Sequence, residues 1–468
     1  MSSGKSGHTG FVMATYLMGI LIGGLYLGVV SPARTVIQAD FGIDSTLGIW
    51  MINIYSLFYA SLIPIIGKLA DKRGRKRVFI ACMGVFCAGS ILCGFSQHLG
   101  GFGALLAGRV MQAIGAGGVI PVANSQIATT FPSEKRGTAL GIAAAVMGVA
   151  NVLGAAAGSA VVGVFGTQNW PVMFYLCVPF CVAVMAMATA IVPDTRPEAS
   201  GGKADVAGSA LFMLFVLLLL LGIKGIDWLD LTGSFLCPAV LGALAGAVVV
   251  ALAFRLVERR AEDPVFHLEY FHITPIVITM VVSFFIGCFV ISLVLVPELA
   301  EFATGAPLGL GGYYILAIGA ASIVVTPLGG RLIDRIGPKP VLIIGFAVSI
   351  LGLLYLALVA AIAPTPFTLV LGLFIVGAGM GFAMGAPTNY MILENTDPRD
   401  STSAIATIPL VRQIGTTVAP AILTGMIATA PGMAGYQHML LCVAVFNTCA
   451  LLAILPYRQK SRHGKPQP

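Results

Sequence analysis

Charged side chains are scarce in this chain. Of its 468 residues, 10% are Asp, Glu, Lys or Arg and 58% are hydrophobic. Soluble domains are about 25% charged and about 45–50% apolar, and no single domain encloses a core as large as this composition would require. The scarcity of charge therefore excludes a soluble globular protein and predicts that most of the chain lies in lipid.

The residue patterns of metal, redox and catalytic sites are also missing. None of the nine cysteines stands in a C-x-x-C or Cys/His spacing, and all nine fall inside or beside apolar stretches, where we interpret them as packing residues. The sequence shows no nucleophile with a matching base, no paired carboxylates and no soluble sensor domain. We therefore expect no enzyme activity, no metal and no cofactor.

Apolar stretches recur along nearly the whole chain, with brief polar breaks between them. A helix needs about 20 apolar residues to cross the hydrocarbon core of a bilayer. Stretches of that length predict fourteen transmembrane helices, at residues 11–33, 48–68, 78–96, 102–129, 138–162, 171–192, 206–226, 234–256, 273–297, 311–331, 340–363, 367–394, 402–428 and 437–456.

Basic residues are distributed unequally between the two sides of this predicted topology. The side that holds both termini receives most of the Lys and Arg residues, whereas the other side receives Arg34 and Lys224. Because short loops rich in Lys and Arg stay in the cytoplasm, both termini are predicted to be cytoplasmic. The net charge of +7 then reflects topology, so we expect no nucleic-acid partner.

Two similar decapeptides mark an internal repeat. Residues 67–76 read GKLADKRGRK and residues 330–339 read GRLIDRIGPK, with five of ten positions identical, and each joins two apolar spans. Matched segments of this kind are typical of transporters built from one helical unit used twice. We predict an all-α integral membrane protein with a six-helix bundle at 1–195, a linker with two extra transmembrane helices at 196–262, a second six-helix bundle at 263–457 and a basic cytoplasmic tail at 458–468.

These motifs resemble those of the major facilitator superfamily, and specifically those of its fourteen-helix drug:proton antiporter family of the multidrug-resistance efflux type. The resemblance covers essentially the whole chain. It implies two six-helix bundles in the bacterial inner membrane that rock about a central cavity, exporting a small amphiphilic organic compound with the proton as coupling ion. It is carried by GKLADKRGRKRV at 67–78, GRVMQAIGAGG at 108–118, FPSEKRGTALG at 131–141, VRQIG at 411–415 and the Glu-Arg-Arg segment after the eighth span.

The two decapeptides supply the residues that we expect to form a cytoplasmic gate. Gly67 should allow close helix approach, and Asp71 and Arg75, four residues apart, can pair with each other or with a neighbouring helix end. The alternative is a solvated basic loop without a gating role. The predicted gate consists of Gly67, Asp71, Gly74, Arg75, Arg77, Gly330, Asp334 and Gly337.

An arginine lies within the otherwise apolar fourth span, where a charge costs at least about 2.5–3.5 kcal/mol on insertion scales. Arg109 should therefore face the bundle interior, with Gln112 one turn away. The resemblance implies a role in proton transfer and conformational coupling for Arg109 and, by extension, for Gln112. The alternative is an arginine whose side chain snorkels to the membrane interface.

Polar side chains within the other spans are candidates for lining the cavity. Arg412 lies well inside its apolar stretch, and burial at that depth demands a partner. Each neutral candidate could instead form a hydrogen bond between helices, worth roughly 0.6–2 kcal/mol in a membrane. The candidates are Asn53, Tyr55, Asn124, Gln126, Asn151, Asn389, Tyr390, Arg412 and Gln413.

A glycine run gives the fifth span a small-residue face suited to tight packing against another helix. It consists of Gly148, Gly154 and Gly158 and occupies the place of the family's antiporter motif. That motif carries a proline where this chain has Ala155.

The first span departs from the family pattern as well. Typical members carry an aspartate there, whereas residues 11–33 contain no acidic residue. Proton coupling must then use other acids, for which Glu298 and Glu301 at the outer end of the ninth span are the candidates. The alternative is that both are exposed loop acids, an interpretation that we favour for Glu394.

A cavity with two arginines and few acids favours a neutral, zwitterionic or anionic amphiphile over a lipophilic cation. Two functions stay open: an efflux antiporter for amphiphilic drugs or metabolites, and an exporter or flippase of a lipid or lipid-like anionic solute without proton coupling. The expected partners are the small-molecule substrate and the lipid bilayer. We expect a monomer, since each chain encloses its own pathway.

Overall fold

A computed structural model of the chain describes residues 3–131, 133–193, 206–226, 231–259, 270, 272–384, 386–396 and 401–458. All regular secondary structure in these residues is helical. Parts of the predicted linker, at 196–205, 227–230 and 260–262, and nearly all of the predicted basic tail lie outside the described residues.

Twenty α-helices follow one another along the described chain. Those before the linker are α1 (Ser3–Gly28), α2 (Val30–Phe41), α3 (Ser45–Gly48), α4 (Trp50–Arg73), α5 (Arg75–Phe95), α6 (Phe102–Thr130), α7 (Ser133–Phe165), α8 (Val172–Tyr175) and α9 (Cys177–Ile191). The linker region contains α10 (Val206–Lys224), α11 (Leu231–Leu236) and α12 (Pro238–Glu258). Those after it are α13 (Thr274–Ser292), α14 (Val296–Thr304), α15 (Ile315–Ile336), α16 (Pro338–Tyr355), α17 (Pro366–Ala383), α18 (Ala386–Leu393), α19 (Ser401–Ala428) and α20 (Met433–Ile454).

Each of the fourteen predicted spans overlaps at least one of these helices. Ten helical segments of the described chain are long and apolar enough to cross a membrane. They comprise α1, α5, α6, α8 with α9, α12, α13 with α14, α15, α16, α17 with α18, and α20. The all-helical membrane fold is thus confirmed, whereas the count of fourteen spans remains a prediction.

The first helical rod extends beyond its predicted end at residue 33. It breaks briefly after α1 and continues as α2 to Phe41. The break has a local cause, because Pro32 has no N–H to donate to the carbonyl of Gly28, four residues earlier. The extension places Arg34 in a helix rather than in a loop.

The ninth predicted span, which ends at 297, is extended in the same way. A 3₁₀ turn at Leu293–Leu295 joins α13 to α14, which ends at Thr304. Pro297 lies four residues after Leu293 and cannot donate the hydrogen bond that would keep an α-helix regular. Glu298 and Glu301 consequently lie within a helix and not in the loop that we considered as an alternative.

The helices before and after the linker pack in matching pairs. In the first half α5 packs on α6, α4 on α6 and α1 on α7; in the second half α16 packs on α17, α15 on α17 and α13 on α19. One helical unit is therefore used twice, as the paired decapeptides indicate. The two linker helices α10 and α12 pack on each other, and α10 also contacts α4 and α19.

The helix α10 lies along the seam between the two halves. Its Phe212 and Val216 form a buried apolar cluster with Leu57 of α4, against which Ile414 of α19 packs. The linker helices thus cover one side of the seam without entering either half.

Candidate functional site

Two glycine turns define what we call the basic end of the molecule. Gly74 alone joins α4 to α5 with φ +96°, and Gly337 alone joins α15 to α16 with φ +86°. Side chains with a Cβ rarely adopt such angles, so the reversal of direction in one residue requires glycine. The two decapeptides therefore build the same turn twice, with the basic residues on either side of it.

The close helix approach expected at the basic end is not what the structure shows. No described atom lies within 4 Å of a Cβ built on Gly67, and the same holds for the repeat-related Gly330. Arg75 donates a hydrogen bond to Thr129 Oγ1 of α6, at 2.7 Å, within its own half. The side chains of Asp71 and Asp334 lie outside the described residues, so their predicted pairing stays a prediction.

Contacts between the halves concentrate at the opposite end. Ser31 of α2 donates a hydrogen bond to the carbonyl of Val294, at 2.7 Å, and the N–H of Gly312 donates one to Ser159 Oγ of α7, at 2.9 Å. These bonds join helices of the first half to the segment 293–314 of the second. Of the four bonding groups, two are small serine hydroxyls and two belong to the backbone, which allows close approach.

A carboxylate of the second half receives three hydrogen bonds at this end. The N–H groups of Gly309 and Gly311 donate to Glu301 Oε1, at 2.8 and 3.1 Å, and Thr35 of the first half donates to Oε2, at 2.9 Å. Glu301 is buried, with 6% of its surface exposed. Bonds to an ionised acceptor are stronger than neutral ones, so this carboxylate ties α2 and the turn before α15 to α14.

An ion pair crosses between the halves one helical turn away. Arg34 of α2 is fully buried and pairs through its Nη2 with Glu298 Oε2 of α14. Taking both charges out of water is costly unless they stay together, so separating the pair requires either solvation or loss of one charge. We call the cross-half group the latch; it consists of Ser31, Arg34, Thr35, Ser159, Val294, Glu298, Glu301 and Gly312.

The glycine face of α7 packs against the helices that carry the latch. A Cβ on Gly154 would lie 2.4 Å from the carbonyl oxygen of Leu25, and one on Gly158 would lie 2.2 Å from that of Val29. Ala155 is buried, and its carbonyl faces Gly312 of the second half. The surroundings of Gly148 lie outside the described residues.

Arg109 lies deep within the first half and does not snorkel to an interface. It is 1% exposed, its Nε donates to the carbonyl of Met51 at 3.0 Å, and its Nη1 donates to Gln112 Oε1 at 2.7 Å. The guanidinium carbon lies 4.1 Å from the centre of the Tyr55 ring, which adds a cation–π contact. Protein groups thus satisfy this arginine.

A chain of hydrogen bonds continues from Arg109 to α5. Gln112 donates from Nε2 to Ser90 Oγ at 2.7 Å, and Ser90 donates to the carbonyl of Phe86 at 2.9 Å. These described bonds include no carboxylate. The network is built to hold a positive charge in place, whereas Glu298 and Glu301 lie at the latch.

Arg412 and Gln413 lie on α19 beside the seam. Gln413 donates to the carbonyl of Ser56 of α4, at 3.0 Å, and so joins the halves at mid-height. Arg412 is half-buried, and its Nε is buried without a hydrogen-bond partner. The partner that its depth demands is therefore absent among the described residues, contrary to our expectation.

The remaining cavity candidates divide into buried and accessible side chains. Asn53 is buried and its Oδ1 accepts no hydrogen bond from a described group, while Gln126 is buried and donates to Thr130 at 3.4 Å. Asn124 and Asn389 are half-buried and Tyr390 is exposed. The side chain of Asn151 lies outside the described residues.

One acid considered in the sequence analysis lies away from the latch, and several latch residues were not predicted from the sequence. Glu394 accepts a hydrogen bond from Tyr457 at 3.1 Å, far along the chain from the latch. Sequence reasoning missed Ser31, Thr35 and Ser159, because isolated hydroxyls in apolar helices carry no distinguishing pattern. The sequence did contain a signal for the role of Arg34. It is one of few basic residues on the predicted outer side, where the two acids at the end of the ninth span also lie.

Comparisons with known proteins agree with this architecture. The model of the family described as Major Facilitator Superfamily matches residues 16–420 and 276–468. The uncharacterized MFS-type transporter YfiU of Bacillus subtilis is 31% identical over 422 residues, covering 89% of this chain and 79% of that protein. Multidrug resistance protein 3 of the same species is 27% identical over 432 residues, with the same coverage of 89% and 79%.

A solved structure shares the fold across nearly the whole chain. The crystal structure of a D-xylose-proton symporter superposes with a TM-score of 0.69 at 16% identity, covering 95% of this chain and 96% of that one. At this identity the likeness concerns the fold alone. The fold with two matching halves is thus also that of a solved transporter.

Proposed function

The chain belongs to the major facilitator superfamily, and from that premise we propose that it exports a small amphiphilic organic compound by alternating access, in exchange for protons. It is a multi-pass transporter of the plasma membrane and not an enzyme. The proposal includes fourteen transmembrane helices, both termini in the cytoplasm and hence the basic end on the cytoplasmic side.

The observation that carries this proposal is the latch. It joins the halves at the end opposite the basic turns, while a Cβ added to Gly67 or Gly330 at the basic end would meet no described atom of another helix within 4 Å. An inward-facing state requires that the outer end is closed by contacts between the halves and that the cytoplasmic end is not packed. In the outward-facing state the latch parts and the two glycines provide the close packing predicted for them.

Proton coupling is proposed to act through the latch acids. A proton on Glu298 removes the charge that holds Arg34, and a proton on Glu301 turns an ionised acceptor into a neutral one. Either event weakens the closed state and favours opening toward the outside. Because the first span lacks an acid and the described Arg109 network lacks a carboxylate, the latch is the better candidate for the coupling site.

The magnitude is sufficient for coupling. Each hydrogen bond to a charged group contributes about 1.5–3 kcal/mol, and a shift from 1:99 to 99:1 requires about 5.5 kcal/mol. Loss of the ion pair together with weakening of the Glu301 bonds is of this order. Export rather than uptake is supported by the name of a relative, multidrug resistance protein 3.

The test uses purified protein in liposomes that contain a pH-sensitive dye. An anionic amphiphile and a neutral amphiphile of similar size serve as probes, and the variants are Glu298→Gln and Glu301→Gln. We expect proton movement on addition of a transported probe, and loss of uphill transport with retained downhill flux in at least one variant.

The matched control is Asp44→Asn, which neutralises an exposed carboxylate near the same end that caps the N–H of Leu47 and does not cross between the halves. Asp44→Asn should behave as the native chain. Proton-coupled uphill transport that persists in both glutamate variants would refute coupling at the latch.

A second function is favoured by one observation. The charge of Arg412 is unpaired among the described residues, which suits a lipid or lipid-like anionic solute moved without proton coupling. Substrate flux or lipid translocation without any proton movement in the same liposomes would support this alternative.

A further inference from the structure

Apart from Arg75 at the start of α5, three buried or half-buried arginines lie in the described helices, and they differ in how their charge is held. Arg34 pairs with the carboxylate of Glu298. Arg109 has a carbonyl, an amide oxygen and an aromatic ring as partners. Among the described residues, Arg412 has no hydrogen bond, ion pair or ring contact, although its Nε is buried.

The position of Arg412 is fixed by its backbone. A Cβ on Gly287 of α13 would lie 2.1 Å from the carbonyl oxygen of Arg412, so α13 and α19 touch at this point. The next residue, Gln413, is bonded to α4 of the other half. The arginine therefore lies on a firmly packed turn at the seam between the halves.

Its depth makes an uncompensated charge expensive. Arg412 lies 11 residues into α19, or about 17 Å from the start of the helix at 1.5 Å per residue. A charged side chain at membrane depth pairs with another group or faces a water-filled pathway. Arg412 is half-buried and no described group pairs with it, which leaves the second of these two arrangements.

We infer that Arg412 binds the anionic group of the exported amphiphile and thereby selects acidic compounds over neutral ones. The planar guanidinium offers two parallel N–H donors, which match a carboxylate, sulfonate or phosphate. The inference rests on the proposed export function and names the substrate class of the same pathway. The shared chemistry is one anionic headgroup on an apolar body, which a free organic acid or an anionic lipid can supply.

The experiment measures binding to the full-length chain in phosphatidylcholine nanodiscs. The probes are 11-(dansylamino)undecanoic acid and its methyl ester, which share a fluorophore and a chain and differ in charge. The native protein should bind the acid at least about 10-fold more tightly than the ester, because a charge-assisted bond is gained. This ratio should fall toward one in Arg412→Gln and stay well above one in Arg412→Lys, which keeps the charge.

Arg335→Gln is the control, since it removes an exposed arginine at the basic end of α15 and tests general attraction of the acid to the protein. It should leave the acid-to-ester ratio unchanged. Repeating the titration with phosphatidylglycerol in the nanodisc separates the two sources of the headgroup. If the site binds anionic lipids, phosphatidylglycerol should weaken binding of the acid probe to the native chain but not to Arg412→Gln. If it binds free organic acids, the lipid should leave binding of the acid probe unchanged.

An unchanged ratio in Arg412→Gln, or a native protein that does not distinguish acid from ester, overturns the inference. Failure of the proposed function has a different signature, because the native chain would then transport neither probe in liposomes. A chain that expels the ester and the acid equally well keeps its export function and loses the anion site.

Discussion

The bond from Thr35 to Glu301 offers the sharpest test of the latch. Thr35→Val replaces the hydroxyl by a methyl group of nearly the same shape, so α2 keeps its packing while Glu301 Oε2 loses a partner at 2.9 Å. Glu301 is buried in the closed latch and would be solvated once the latch opens. The substitution therefore costs free energy in the inward-facing state alone.

A hydrogen bond to a charged group contributes about 1.5–3 kcal/mol, and about 1.4 kcal/mol is a factor of ten in an equilibrium constant. Thr35→Val should thus raise the ratio of open to closed latch by about 10-fold to 150-fold. The other latch contacts remain, so the protein should stay folded and retain part of its inward-facing population.

Hydrogen–deuterium exchange in nanodiscs reports this ratio directly, because the N–H groups of Gly309 and Gly311 are protected by their bonds to Glu301. Peptides that cover 305–314 should exchange about 10-fold faster or more in Thr35→Val. Thr15→Val is the control, since the buried Thr15 hydroxyl bonds only within α1, to Phe11 at 2.9 Å. Equal exchange of this segment in both variants would refute the assignment of a closing role to Thr35.

Three further predictions concern stability, and each can be checked by the melting temperature of the detergent-solubilised protein. Gly154→Ala should lower the free energy of unfolding by about 1–3 kcal/mol, because its Cβ would lie 2.4 Å from a carbonyl oxygen of α1; Gly67→Ala, with no described neighbour within 4 Å, should leave it unchanged. Gly74→Ala should cost about 1–2 kcal/mol through its φ of +96°, and a melting temperature equal to that of the native chain would contradict the turn geometry. Arg109→Lys should lower the free energy of unfolding by about 1–3 kcal/mol although it keeps the charge, because lysine loses the second hydrogen bond and the flat contact with Tyr55. Full stability of this variant would show that the guanidinium shape is irrelevant.

Much of the architecture could be predicted because membrane insertion depends on local composition. Long apolar runs, basic loops and the two decapeptides are properties of consecutive residues, and the bilayer converts them into spans and a repeat without reference to distant contacts. The glycine turns at Gly74 and Gly337 belong to the same class, since a one-residue reversal between helices constrains its own φ. The burial of Arg109 followed from the cost of a charge in lipid.

The helix ends were harder to predict, because the local signal that marks them, a proline, is weaker than a long apolar run. Pro32 and Pro297 suggest an end to a span, yet each helix resumes after a short break because most of the flanking residues are buried against neighbours. Arg34, Glu298 and Glu301 therefore lie in helices beyond the predicted boundaries.

By itself the sequence determined the fold class, the repeat, the family and the presence of acids and arginines at particular depths, because each depends on composition and spacing along one chain. The tertiary structure alone decided which charged side chains pair with each other. The latch joins residues 153 to 266 positions apart, such as Ser31 and Val294, and forms only when the two halves come together. The same long-range packing pairs Arg34 with Glu298, gives Arg109 its hydrogen bonds and leaves Arg412 without a partner among the described residues. Identical side chains in similar apolar runs cannot reveal this distinction.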